Sequence, residues 1–127
     1  MLLLLCLLAS GMESDPLLEA EDTLARGATA VYTVTVIQGT SYWILVETEG
    51  PGADVDLVVA SKDMDFDHFM SLPYYEDFVY ARGFALAEGV SEGEGESFSF
   101  TATYTGPAYL VVHDIGETGG SYELKVY

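Results

Sequence analysis

The sequence has almost no positive charge, no asparagine and a single cysteine. Arg26, Lys62, Arg82 and Lys125 stand alone against 21 Asp and Glu, for a formal net charge of −17. Such a surface repels phosphate backbones and anionic headgroups, which excludes nucleic acid as a partner and favours cations, basic partners or a salty medium. Cys6 sits in the apolar N-terminal run, so the body of the chain has neither a disulfide framework nor a cysteine-ligated metal site. Without asparagine there is no N-x-S/T acceptor. The only histidines, His68 and His113, belong to no spacing that binds zinc or serves a Ser-His-Asp relay. No G-x-S-x-G, H-E-x-x-H or phosphate loop occurs. A glycosidase pair carries no information either, because among 21 acids some pair always falls at a workable separation. The expectation is a protein that is not an enzyme.

What is present is a folding sequence. Half of the 127 residues are apolar, and 9 Tyr, 6 Phe and 1 Trp give a core-forming content far above that of a disordered acidic tail. The N-terminal run MLLLLCLLA over residues 1–9, followed by Ser10-Gly11, reads as a leader for export ending at Gly11. It is too short to span a bilayer, so no membrane span is expected in the mature chain. Residues 12–28 read as a linker or an N-terminal edge strand, and residues 29–127 as one β-sandwich domain.

The strand pattern is plain along most of that domain. Thr29 to Ile37 alternates and is nearly all β-branched or aromatic, and Gln38-Gly39-Thr40-Ser41 then turns the chain into Tyr42 to Thr48, which predicts a hairpin. Val55 to Ala60 is apolar apart from Asp56 and predicts a central strand. Residues 62–89 are irregular and aromatic; Pro73 divides them into a helical turn at Asp65 to Leu72 and, beyond a loop, a strand near Phe78. Glu92, Glu94 and Glu96, interleaved with glycine, read as a solvated loop. Ser97 to Tyr104 alternates with Phe98, Phe100, Ala102 and Tyr104 inward. Ala108 to His113 and Tyr122 to Tyr127 complete seven or eight strands, an all-β antiparallel sandwich of jelly-roll type.

The succession Tyr42-Trp43-Ile44, Asp54-Val55-Asp56-Leu57, Gly106-Pro107-Ala108-Tyr109-Leu110-Val111-Val112 and Gly120-Ser121-Tyr122-Glu123-Leu124-Lys125-Val126 resembles the bacterial and archaeal pre-peptidase C-terminal domain. The likeness runs from about Leu17 to Tyr127. It implies a non-catalytic extracellular module of jelly-roll fold, which in some relatives binds calcium, carbohydrate or matrix protein.

Asp54 and Asp56, two apart at a strand entrance, place both carboxylates on one face, where calcium would relieve their repulsion. The bland alternative has Asp54 capping the preceding Gly-Pro-Gly turn and Asp56 facing water. Asp114 and Glu117 would complete the metal site if their loop shares an end with Asp54. Asp63, Asp65 and Asp67 imitate the start of an EF-hand but lack its sixth glycine and twelfth glutamate. Phe69, Tyr74, Tyr75 and Tyr80 form either a sugar-stacking or partner surface or a lid on one end of the core. Leu17, Leu18 and Leu24 mark a strand that would pair with a neighbour's edge. Together these predict a cell-surface module for self-assembly or adhesion, stabilised by calcium, whose partners are copies of itself or another surface protein. The alternative is a monomeric carbohydrate- or matrix-binding module.

Overall fold

The computed structural model describes residues 16–49, 54–89, 95–115 and 119–127. The expected leader at Met1 to Gly11, the loop acids Glu92 and Glu94, and Glu117 lie outside them.

The described residues form eight strands and two short helices: β1 (Leu18–Leu24), β2 (Thr29–Val36), β3 (Ser41–Glu49), β4 (Val55–Ala60), α1 (Phe66–Ser71), α2 (Glu76–Arg82), β5 (Ala85–Gly89), β6 (Gly95–Thr101), β7 (Gly106–Asp114) and β8 (Gly120–Val126). They pair antiparallel in two sheets, ordered β1-β8-β3-β6 and β2-β7-β4-β5. First pairs with eighth, second with seventh, third with sixth and fourth with fifth. That is the wrapping of a jelly roll, and the all-β sandwich read from the sequence is borne out.

The topology corrects the predicted hairpin. Gly39, with φ +85, does turn the chain between β2 and β3, but the two strands lie in different sheets. A turn fixes a reversal of direction, whereas pairing is decided by which faces can be buried. The first strand is an edge strand of the sandwich, paired over its full length with β8.

Period two explains the core. Tyr42, Ile44 and Val46 of β3, Leu124 and Val126 of β8, Leu57 and Val59 of β4, and Leu110 and Val112 of β7 point between the sheets and are buried. The hydroxyls of Tyr32 and Tyr122 hydrogen-bond across this interior. Burial, followed by that bond, holds the Tyr122 phenol well above its ordinary range.

The second sheet is covered on its outer face as well, which is why Leu57 to Ala60 of β4 and Ala108 to Val112 of β7 read as unbroken apolar runs. Val58, Ala60 and Val111 pack there against Met64, Phe69, Phe78 and Ala81 from the helical segment. Asp65 caps α1, its carboxylate accepting from His68 N at 3.1 Å. The strand expected near Phe78 is instead the helix α2. Phe78 and Ala81, three apart, share its buried face, and that helical spacing outweighs the β propensity of Phe78, Val79 and Tyr80.

Candidate functional site

The second sheet ends in a polar row beneath α2. Thr29 of β2, His113 of β7 and Asp56 of β4 stand directly opposite one another on the helix-covered face. From α2 above, Asp77 reaches down. The Thr29 hydroxyl donates to Asp77 Oδ1 at 3.0 Å, so its oxygen is left to accept from His113 Nδ1 at 2.8 Å. Phe78 stacks on the imidazole with ring centroids 5.0 Å apart. Burial lowers the His113 pKa, opposed by the nearby Asp77 and Asp114 charges. A hydrolase relay needs its imidazole between carboxylate and hydroxyl. Here the hydroxyl stands between the other two, an order that differs from the relay's and ties α2 to the sheet.

Asp56, at the end of this row, belongs with Asp54 to an acid pair. Asp56 has its pKa pushed up to about 6, first by burial, then by Asp54, with Arg82 opposing and Glu88 adding. Its Oδ1 is buried and takes no hydrogen bond among the described residues. Arg82 of α2 instead forks onto Glu88 of β5, Nε to Oε1 at 3.2 Å and Nη2 to Oε2 at 3.3 Å, and its pKa is raised by that pairing. The structure thus brings Asp54 and Asp56 together as period two predicts.

Asp114 does not join them. The two strand ends do meet, since Ile115 N donates to the Asp54 carbonyl at 2.9 Å. Yet Asp114 lies opposite Val55, on the inward face, where it is buried and accepts from Gly27 N at 3.2 Å. Directly opposite residues share a face, so Asp114 and Asp56 point to opposite sides of the sheet. Among the described residues no cluster of three or more His, Cys, Asp or Glu can hold a metal ion.

The aromatic segment divides into core and surface. Phe69 is 3% exposed and belongs to the packed layer between α1 and the sheet, which corrects its expected place on a binding surface. Tyr80 is half-buried, edge-on to His68 and Phe84. Tyr74 and Tyr75, 62% and 64% exposed, form the outer corner between the helices, with Met70 and Val79 also exposed. Tyr75 caps α2 at φ 77 and ψ −49, a region costly for any residue with a side chain, and its ring reaches to 6.0 Å from that of His113. Leu17 is exposed, Leu18 half-buried, and Leu24 is buried in the sandwich.

Thr29, Asp77, Arg82 and Glu88 were not legible as site residues. Thr29 is separated from Asp77 by 48 positions and from His113 by 84, and only the strand register unites them. Trp43 does carry a signal in the sequence. It lies out of phase with Tyr42, Ile44 and Val46, a pattern that places the sole tryptophan on the outside, where it is 49% exposed.

Known structures of this shape include the pre-peptidase C-terminal domain of a collagenase from Bacillus anthracis, at 25% identity and TM-score 0.60, covering 90% of this chain and 91% of that one. The resemblance read from the sequence is borne out by this similarity. A periplasmic inhibitor of g-type lysozyme from Aeromonas hydrophila shares the fold at 12% identity and TM-score 0.54, covering 94% and 93%. So does a surface-associated copper-binding protein from Methylomicrobium album BG8, at 13% identity and TM-score 0.51, covering 86% and 92%. No protein-family model matches the chain, and no curated protein does. Among the described residues no helix is long and apolar enough to cross a membrane.

Proposed function

We propose that the chain is a non-catalytic, exported β-sandwich module that docks on copies of itself or on another surface protein through the corner between α1 and α2. The observation that carries this reading is the exposure of Met70, Tyr74, Tyr75 and Val79 on one short helical pair, with Tyr75 held in a strained backbone conformation at its centre. Large half-wet aromatics on a rigid support are what interface centres use. Export is supported by the apolar leader and by the likeness to a collagenase's pre-peptidase C-terminal domain.

Calcium is the proposed stabiliser of this end. Asp54 and Asp56 supply hard oxygen ligands from one strand entrance, and the buried, unbonded Oδ1 of Asp56 fits a cation. The β1 segment is part of the sandwich, because Leu24 is in the core; its outer edge, unpaired among the described residues, is what remains for strand addition.

Light scattering in millimolar calcium and then in chelator tests the reading, with Tyr74→Ala/Tyr75→Ala as the variant. Assemblies that dissociate in chelator and are lost in the folded double variant are the expected result. A monomer throughout, with a glycan array bound by the wild type and ignored by the variant, would replace docking by sugar recognition at the same corner.

A further inference from the structure

The two outer faces of the sandwich differ. One is covered by α1 and α2; the other, on the sheet β1-β8-β3-β6, has no layer over it among the described residues. Toward one end of this face Trp43 stacks on Tyr127 at 5.8 Å between ring centroids, and the indole N–H donates to Ser97 Oγ at 2.5 Å. The platform is therefore fixed before anything binds. Four residues further along β3 from Trp43, at about 3.4 Å per residue, Glu47 stands directly opposite Glu123 of β8, which stands directly opposite Glu21 of β1. Three carboxylates thus share one cross-strand row, an arrangement that destabilises a sheet. Among the described residues Lys125 is the one cation that forms ion pairs on this face, 3.7 Å from Glu19 and 3.8 Å from Glu123. No ion pair to Glu21 or Glu47 occurs among the described residues. The row borders a depression of about 490 Å³ that Thr48 and Ser121 also line.

We propose that this open face docks a basic polypeptide segment, lying with an apolar or planar side chain on Trp43 and Tyr127 and its lysines or arginines in the carboxylate row. Charge complementarity selects this occupant. Each lysine or arginine entering the row relieves a repulsion the fold otherwise sustains, and the net charge of −17 draws such a segment in. An acidic segment or anionic glycan is repelled. A neutral glycan could stack on the rings but leaves the row unrelieved. This surface is separate from the α1–α2 corner, so either can fail without the other.

Trp43 is the only tryptophan, so its fluorescence reports the platform alone. The probe is a peptide of about a dozen residues alternating lysine with phenylalanine, compared with its glutamate counterpart and with a neutral hexasaccharide. The lysine peptide is expected to shift the emission saturably, with affinity falling steeply between about 0.05 and about 0.5 M salt. Glu47→Gln/Glu123→Gln is expected to weaken binding about tenfold. Asp67→Asn/Glu76→Gln, which removes the same charge from the helical face, is expected to change it less than about twofold. Trp43→Ala, followed by calorimetry, loses binding while thermal melts show both double variants and Trp43→Ala folded. Equal weakening by the two double variants would mean attraction by net charge only and would overturn the proposal. So would an emission unmoved by the lysine peptide, or one moved by the hexasaccharide instead.

Discussion

Asp56 and His113 stand directly opposite each other on β4 and β7, both under α2, and burial acts on them in opposite senses: the carboxyl is pushed up to about 6 and the imidazole is lowered. For Asp56 the folded pKa lies above the ordinary value of 3.8, so the folded chain carries the full cost of the charge above about pH 6 and none below about pH 4. Asp56→Asn should therefore raise the melting temperature in chelator at neutral pH, with the gain fading as pH falls through that window. In calcium the order should reverse, because the wild type alone gains from the ion. A melting series at several pH values, with and without chelator, checks both halves.

His113 works the other way. With its pKa lowered by burial, protonation favours the unfolded chain, and stability is lost as pH falls below the ordinary 6.5. Thr29→Val removes the hydroxyl that joins Asp77 to His113 and leaves two buried polar groups short of a partner. A loss of about 1–3 kcal/mol is expected in urea unfolding. A loss well under that range would mean that Asp77, which also accepts from Phe78 N at 2.6 Å, needs no second partner.

The parts legible in the sequence were those set by local period. Phe98 and Phe100 alternate with Ser97 and Ser99 because one face of β6 is dry, and residues 57–60 run apolar because β4 is buried on both faces. Asp54 and Asp56 could be placed on one side of a strand by the same count. What local period could not give was the partner of each strand. Gln38-Gly39 looks the same whether the next strand pairs or crosses to the other sheet. Asp114 was expected to complete the site with Asp54 and Asp56 if their loops shared an end; the strand ends do meet, but one residue of register decides the face, and the register comes from long-range pairing. Phe69 and Tyr74 look alike in sequence; the packing of α1 on Val58, Ala60 and Val111 separates them.

That separation is measurable. Phe69→Ala opens a cavity in the helical layer and should cost about 3–5 kcal/mol. Tyr74→Ala, at an exposed corner, should stay within about 0.5 kcal/mol of wild type. Denaturant midpoints for the two variants decide whether the aromatic segment is a layer with a wet corner or a surface throughout.

Gly119 is fixed by its surroundings as well as its backbone. At φ +73, an added Cβ would lie 2.6 Å from the Leu24 carbonyl oxygen and 3.0 Å from Arg26 N, both main-chain atoms that cannot swing aside. Gly119→Ala should lose more than about 1 kcal/mol, whereas Gly27→Ala, with nothing within 4 Å, meets only the strain of φ +76 and should lose less. Thermal melts of the pair compare crowding with backbone strain at nearly the same φ.

The carboxylate row on the open sheet offers a test of stability against recognition. Glu123 is flanked by Glu21 on β1 and Glu47 on β3, and Lys125 relieves it from only one side. Glu47→Lys puts a cation directly opposite Glu123 and should stabilise the fold by up to about 1 kcal/mol at low ionic strength, with the gain shrinking in about 1 M salt. The same change should weaken binding of the lysine peptide, since it fills the row with the chain's own charge. A variant that is more stable and binds less would identify the row as repulsion retained for a partner. One that is more stable and binds equally well would leave the repulsion without that role.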